Sequence, residues 1–367
     1  MIITRTPFRI SFFDGGTDYP AYYNEHGGAV LNTTINKYCY LTVRYLPPFF
    51  DHKFRIRYTK REETNTPDEI VHPSVKACLQ FLNVEQGVEI VRTADIPAMS
   101  GIGSSSSFTV GLLHALYALQ GKMVTKRQLA FDAIHVERDL IKENVGSQDQ
   151  MTAAFGGLNR IEFSGRYSSF VQPITLPPQK LAYLQSCMLF YFTGFSRYSS
   201  DITQAHLDSM KNNIQTLKLM SQMVDEGVKI LNGPVEHYDR FGLLLHEAWR
   251  CKRGLSSRIS NRGIDEIYEK AVKAGALGGK ICVVGGGGFL VLFAPPERHP
   301  DIKEKLKKLL IVPINFEQLG SHVVFYSNTT EGSESWDQTV TLSSNHLPIA
   351  TRDAFGESTR IQSNVSW

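Results

Sequence analysis

The sequence predicts an α+β chain in two parts, and three observations carry that expectation. Residues 2–13 alternate as a strand, with Ile2, Phe8, Ile10 and Phe12 on one face and Arg5, Arg9 and Ser11 on the other. A glycine- and serine-rich loop, Pro97 to Ser107, separates a strand at 87–93 from an apolar helix that starts near Phe108. Two long amphipathic helices, at 201–232 and about 235–254, dominate the second half. The 367 residues leave room for two domains at about 100–200 residues each.

In chain order, Asp14-Gly15-Gly16-Thr17-Asp18-Tyr19 forms a turn after the first strand. Strand resumes over 28–45, breaks at Pro47-Pro48 and returns at 54–58, and 73–82 reads as helix. The central loop comes next. Gly101 and Gly103 let the backbone approach an anion without a Cβ in the way. Ser104, Ser105, Ser106 and Ser107 lie at the helix N-terminus, where unpaired N–H groups and the dipole attract negative charge. Their hydroxyls add donors, or ligands for a hard cation such as Mg²⁺. No Gly-Lys-Ser/Thr follows, and position 106 is serine where a dinucleotide fingerprint needs glycine. A plain N-cap is the simpler alternative, although four serines exceed what a cap needs.

Thr125 opens a helix, with Gln128 completing a capping-box pattern. Its apolar face carries Leu129, Ala133, Val136 and Leu140, and Glu137 falls on that face. A carboxylate facing a core needs a cation or hydrogen bonds; an arginine and Mg²⁺ are equal readings from the residues alone. Ser147 reads as the N-cap of a short helix with Asp149 in its first turn, where the dipole favours a charged carboxylate. An acid that only complements the dipole is the simpler alternative. Residues 158–200 read as strand, loop and strand, and Thr193 to Arg197 as a polar turn suited to ligand contacts.

The two long helices read as an antiparallel hairpin, with Lys252 and Arg253 near its end balancing the dipole. Gly278-Gly279-Lys280 precedes a strand at 281–284. The run Gly285 to Gly288 leads into 289–293, as a tight hairpin or an anion-facing turn that Lys280 favours. A helix at 299–310 and a strand at 323–326 follow, then a polar tail from about Ser327 that reads as disordered or surface-draped.

The formal charge of +3 is too small to argue for nucleic acid or a membrane surface. The five cysteines are scattered, without Cys-x-x-Cys, which speaks against a disulfide framework or zinc and suits a reducing cytoplasm. The N-terminus lacks a signal-peptide layout, and no run reaches the ~18–20 apolar residues of a membrane span.

Together, Pro7-Phe8-Arg9 through Thr17-Asp18-Tyr19, the 97–106 loop and the 285–288 glycine turn resemble the GHMP small-molecule kinases. Gly146 to Asp149 and Thr193 to Arg197 match lesser landmarks in the same order. Gly27-Gly28-Ala29-Val30-Leu31-Asn32, Val136-Glu137-Arg138, the Gln-Asp-Gln unit, the Trp249…Lys252 spacing and Lys280 are most similar to the D-glycero-D-manno-heptose 7-phosphate kinases of that family. Asp14 stands where those enzymes usually carry a third glycine.

The resemblance, more than periodicity, implies the fold in detail. A ribosomal protein S5 domain 2-like part occupies 1–180, a ferredoxin-like part with added helices occupies 181–326, and 327–367 is the tail. It also implies ATP-dependent phosphorylation of the anomeric hydroxyl of a sugar phosphate. Gly101, Gly103, Ser104, Ser105 and Ser106 would cradle the ATP phosphates; Ser105 and Glu137 would hold Mg²⁺. Asp149 would orient or deprotonate the attacking hydroxyl, with Arg9 keeping it ionised. Gly15, Gly16, Thr17 and Asp18 would meet the sugar, and Arg197, Lys252 and Lys280 its phosphate. A homodimer is left open. The rivals are a related kinase for fucose or galactose, and a non-catalytic nucleotide- or sugar-binding regulator, against which the intact Arg9, Glu137 and Asp149 argue.

Overall fold

The computed structural model describes residues 1–14, 16–97, 101–165, 168–194, 211–282 and 287–327. Residues 1–329 form one compact unit. Its first strand, β1 (Ile2–Phe13), pairs antiparallel with β2 (Gly28–Tyr45) along nearly its whole length. Between them lies a short helix, α1 (Pro20–His26), started by a proline at its first position. From residue 8 onward β1 is buried on both faces, because Arg9 and Ser11 are covered as fully as Phe8, Ile10 and Phe12. The alternation in the sequence thus separates two buried faces, one apolar and one polar.

The sheet continues through β3 (Phe54–Arg57), β4 (Arg61–Thr64) and β5 (Val88–Ala94), with helix α2 (Pro73–Phe81) between β4 and β5. Helix α3 spans Ser104–Leu119 and packs on β1 and β2. It therefore begins four residues before the expected start near Phe108. Gly103 caps it in the left-handed region (φ +74°), and the serines form its first turn rather than precede it. Apolar periodicity located only the part of the helix that packs on the sheet.

Helix α4 (Lys126–His135) starts as expected, with the Thr125 hydroxyl accepting from the Gln128 N–H at 3.1 Å. It widens into a π-turn over Val136–Leu140, where the Ile141 N–H reaches the Val136 carbonyl. That change of pitch leaves Leu140 exposed while Glu137 stays fully buried. Helix α5 (Gln148–Phe155) and strands β6 (Leu158–Phe163) and β7 (Ser169–Pro173) complete the first half.

Helix α6 (Pro178–Ser186), unassigned in the sequence, precedes strand β8 (Met188–Phe192). The long hairpin is present as α7 (Ile214–Asn232) and α8 (Asp239–Leu255), its expected first residues 201–210 lying outside the described ones. Helix α9 (Arg262–Lys273) was also unassigned; its Asn261 cap accepts from the Ile264 N–H at 3.0 Å. Strand β9 (Gly278–Ile281) takes Lys280 into the strand instead of before it. Strand β10 (Phe289–Phe293), helix α10 (His299–Lys305) and strands β11 (Leu310–Ile311), β12 (Phe316–Glu317) and β13 (His322–Tyr326) follow.

Among the described residues two sheets result. The larger runs β13-β1-β2-β5-β3-β4, with β12 and β6 also on β2 and β7 on β6; the smaller is antiparallel, in the order β11-β8-β10-β9. The α+β expectation holds. The last two described strands, β12 and β13, return to the first sheet, so its halves are interlocked. Aromatic edges seal the junction. Phe241 of α8 meets the Phe12 and Phe13 rings at 5.4 and 5.1 Å, both edge-to-face.

Helix α8 and strand β9 touch backbone to backbone. A Cβ on Gly278 would stand 1.9 Å from the Gly242 carbonyl oxygen. Gly278→Ala should therefore cost roughly 1–3 kcal/mol of stability, read as a lower urea midpoint; an unchanged midpoint would refute this contact.

Candidate active site

The site assembles where the end of β1, the first turn of α3 and the first turn of α5 meet. Arg9 is buried, and its guanidinium grips Asp149 with two bonds: Nε to Oδ1 at 2.8 Å and Nη2 to Oδ2 at 3.1 Å. Its Nη1 donates to the Gly101 carbonyl at 2.8 Å, and its main-chain N–H donates to the Ile102 carbonyl at 3.1 Å. One arginine thus ties the glycine–serine loop to the acid of α5. Burial works against the Arg9 charge, but Asp149 outweighs it and holds the guanidinium above its usual pKa. A Cβ on Gly103 would lie 3.2 Å from Arg9 Cγ and 3.5 Å from the Asp149 carboxyl, so this glycine brings the loop backbone against the pair. Gly101 is likewise left-handed (φ +76°). Ala98, Met99 and Ser100 of the loop lie outside the described residues.

Asp149 is braced again from the side. Gln148 donates to its Oδ1 at 3.3 Å and accepts from the Ser11 hydroxyl at 2.6 Å. The sequence reading missed Gln148 and Ser11, although Ser11 falls on the Arg9 face of β1 and Gln148 adjoins Asp149. Ser147 occupies the N-cap position of α5 but makes no capping bond. Its hydroxyl accepts from Arg138 Nη2 at 2.7 Å instead. The α5 N-terminus is served from across the chain, by Asp18, whose Oδ2 accepts from the Gln148 N–H at 3.3 Å. A Cβ on Gly146 would stand 1.8 Å from that oxygen, so only glycine leaves room for Asp18. Burial first, then the negative charges of Asp14 and Asp149, push the Asp18 carboxyl up to about 6.

Of the remaining turn residues, Thr17 is buried with its hydroxyl donated to the Ala29 carbonyl at 2.8 Å, a bond internal to the fold. Gly16 has φ +102°. Gly15, Arg197 and Gly285-Gly286 lie outside the described residues.

Glu137 is fully buried beside the first turn of α3. Its Oε2 accepts from the Ser106 hydroxyl at 2.9 Å and from the Gln150 amide. Ser106 rather than Ser105 makes this direct bond. Ser105 is exposed, as neighbouring positions on a helix diverge by about 100°. The Thr109 hydroxyl lies near the carboxylate but is directed to the Ser105 carbonyl at 3.3 Å, which leaves Glu137 Oε1 unpartnered. Burial pushes the Glu137 carboxyl up to about 7, against the hydrogen bonds from Gln150 and Ser106.

Lys252 and Lys280 do converge, but on a residue of this chain. Lys252 Nζ meets Asp14 Oδ1 at 2.8 Å, and Lys280 Nζ makes a close contact with the same oxygen. All three side chains are nearly buried. Burial favours a neutral Asp14, yet the two lysines outweigh it and hold the carboxyl far below the usual carboxylate range. Burial pulls the Lys280 ammonium down to about 8 against the attraction of Asp14, with Lys252 adding repulsion.

The model described as "GHMP kinases N terminal domain" matches residues 70–157, and "GHMP kinases C terminal" matches 231–312. The chain thus carries a GHMP kinase N-terminal domain and a GHMP kinase C-terminal domain, and it is an ATP-dependent phosphotransferase with an alcohol group as acceptor. It is 27% identical over 345 residues to a D-glycero-alpha-D-manno-heptose 7-phosphate kinase of Campylobacter jejuni, which covers 91% of this chain and 98% of that one. It is 25% identical to an L-fucokinase/L-fucose-1-P guanylyltransferase of Bacteroides fragilis, over 83% of this chain and 35% of that protein. The solved structure of a D-glycero-D-manno-heptose 1-phosphate kinase from Bacteroides thetaiotaomicron has the same fold, with a TM-score of 0.71 and 24% identity over 89% of this chain and all of that one. No helix among the described residues is long and apolar enough to cross a membrane.

The raised Glu137 carboxyl gives a pH prediction. A folded pKa above the unfolded one stabilises most fully at pH below the unfolded value, and that contribution is lost as pH rises through the folded pKa. The metal-free protein should therefore lose Glu137-dependent stability as pH rises from about 4.5 to about 7. Thermal unfolding of the wild type and Glu137→Gln across that window checks this. The wild type should lose more melting temperature than the variant, and parallel curves would refute it.

Proposed function

We propose that the chain is a sugar kinase that transfers the ATP γ-phosphoryl group to the anomeric hydroxyl of D-glycero-D-manno-heptose 7-phosphate. The product is the 1,7-bisphosphate, a precursor of nucleotide-activated heptose for surface polysaccharide made in the cytoplasm. The observation that carries the reading is the two-bond Arg9–Asp149 pair set against Gly103 at the start of α3. It puts an acid and a guanidinium beside a helix N-terminus suited to phosphate.

Phosphoryl transfer needs positioning and charge neutralisation more than covalent help from the protein. The N–H groups of the first turn of α3, after Gly101 and Gly103, bind the ATP phosphates. Asp149 accepts a hydrogen bond from the attacking hydroxyl and takes its proton as the oxygen–phosphorus bond forms and the bond to ADP breaks. Arg9 keeps Asp149 ionised and faces the transferring charge. Asp18 accepts from sugar hydroxyls, while Lys252, Lys280 and Arg197 meet the substrate phosphate. The unpartnered Glu137 oxygen and the adjacent Ser106 hydroxyl fit a hard divalent cation. Mg²⁺ held there supplies charge that screens the phosphates.

Asp149→Asn should reduce turnover by about three orders of magnitude or more while leaving nucleotide affinity within a few-fold. Steady-state rates with ADP titration check it, and near-normal turnover would remove Asp149 from the mechanism. ADP release measured over heptose 7-phosphate, fucose, galactose and their phosphates tests the substrate. Preference for fucose or galactose would replace heptose in this reading, and no release with any sugar would favour a binding role.

A further inference from the structure

Among the described residues, Asp14 is the acid of the site whose charge is bound by two cations of the same chain. Lys252 arrives from α8, Lys280 from β9 and Asp14 from the end of β1, so three separate elements bring their charges to one oxygen atom. Two ammonium groups on one oxygen stand within about 5 Å of each other, a costly repulsion at low dielectric without an anion between them. The cluster lies one residue past β1, the strand that carries Arg9, and the Asp14 charge reaches both Arg9 and Asp18.

We propose that Asp14 is a specificity-determining residue: its carboxylate fills the anion place between Lys252 and Lys280, so that the acceptor site also works on a sugar without a phosphate. The inference rests on the reading of these lysines as part of the acceptor site. A pocket with two buried, unpaired lysines needs a substrate anion to complete it. With Asp14 present, the pair is complete before the substrate arrives and the cluster keeps one net positive charge. A phosphate then gains less, because the nearest carboxylate repels it, and a neutral hydroxyl-bearing end loses less. The low Lys280 pKa fits this view: burial already disfavours its charge, and Asp14 is what opposes that loss.

The test is a charge series read as a ratio. The kcat/KM of heptose 7-phosphate is divided by that of the same heptose without phosphate. Asp14→Asn should raise this ratio about tenfold or more, and Lys252→Met should lower it. A merely structural role would move both substrates together and leave the ratio within about twofold, which would overturn the proposal. If neither heptose form is turned over, the substrate reading fails and Asp14 is still tested. Inorganic phosphate, with ADP filling the nucleotide site, should protect Asp14→Asn from thermal unfolding at lower concentration than wild type. Equal dose curves would overturn the proposal. Should Asp14→Asn not fold, Lys252→Met against wild type carries both readouts, with weaker phosphate protection expected and equal protection overturning it.

Discussion

The Arg9–Asp149 pair is the constraint around which the rest is arranged. Arg9 is buried, and a buried guanidinium without full partners is destabilising by several kcal/mol in general. Here Asp149 accepts two of its bonds and Gly101 a third. Meeting those demands fixes three remote stretches at once: the end of β1, the loop before α3 and the first turn of α5. The Ser11–Gln148 bond ties α5 to β1 a second time, two residues along the same strand face. Both Asp149 oxygens are held, which restrains the carboxylate and would present it to a reacting hydroxyl in one orientation.

Around that pair the site balances three further acids in different ways. Asp14 is held ionised by two lysines. Among the described residues no cation pairs with Asp18 or Glu137, and burial raises their carboxyls to about 6 and about 7. Asp18 spends one oxygen on the N-terminus of α5, so the residue proposed to meet the acceptor also sets the helix that carries Asp149. On that proposal, acceptor binding and the Asp149 geometry would be coupled through one side chain. Glu137 keeps one oxygen without a partner in a fully buried position, where an unpaired acceptor is expensive in the metal-free state. That cost is what a bound cation would remove.

The elements legible in the sequence are those whose identity is written in local pattern. β1, β2 and the Thr125-capped helix stand where alternation, apolar runs and capping chemistry put them. Glu137 was legible as a carboxylate on an apolar helix face, Arg9 as a charge on the polar face of β1 and Asp149 as a first-turn acid; the roles expected of them came from the family resemblance. What was not legible depends on pitch or on distant partners. The π-turn shifts Leu140 outward, and no residue count announces it. Ser105 and Ser106 differ by one position in a run of identical residues, and only the location of Glu137 chooses between them. Asp18 displaces Ser147 as the effective cap because the turn at 16–18 folds onto a segment about 130 residues away. Short helices such as α1 and α6 carry few buried side chains, so their prolines were the only local signal.

The lysine cluster takes this argument one step further. Sequence singled out Lys252 and Lys280 as cations seeking an anion, and separately singled out Asp14 as the acid that departs from its family. Neither observation predicts the other, since the three lie on a strand end, a helix and a strand of the second sheet. Packing joins them, through the close Gly242–Gly278 approach that sets α8 against β9 and the Phe241 contacts that set α8 against β1. The charge state of the lysine cluster is thus a product of the interlock between the two halves. A change in how α8 sits would alter which anion the lysines hold, without touching a residue of the reaction centre itself.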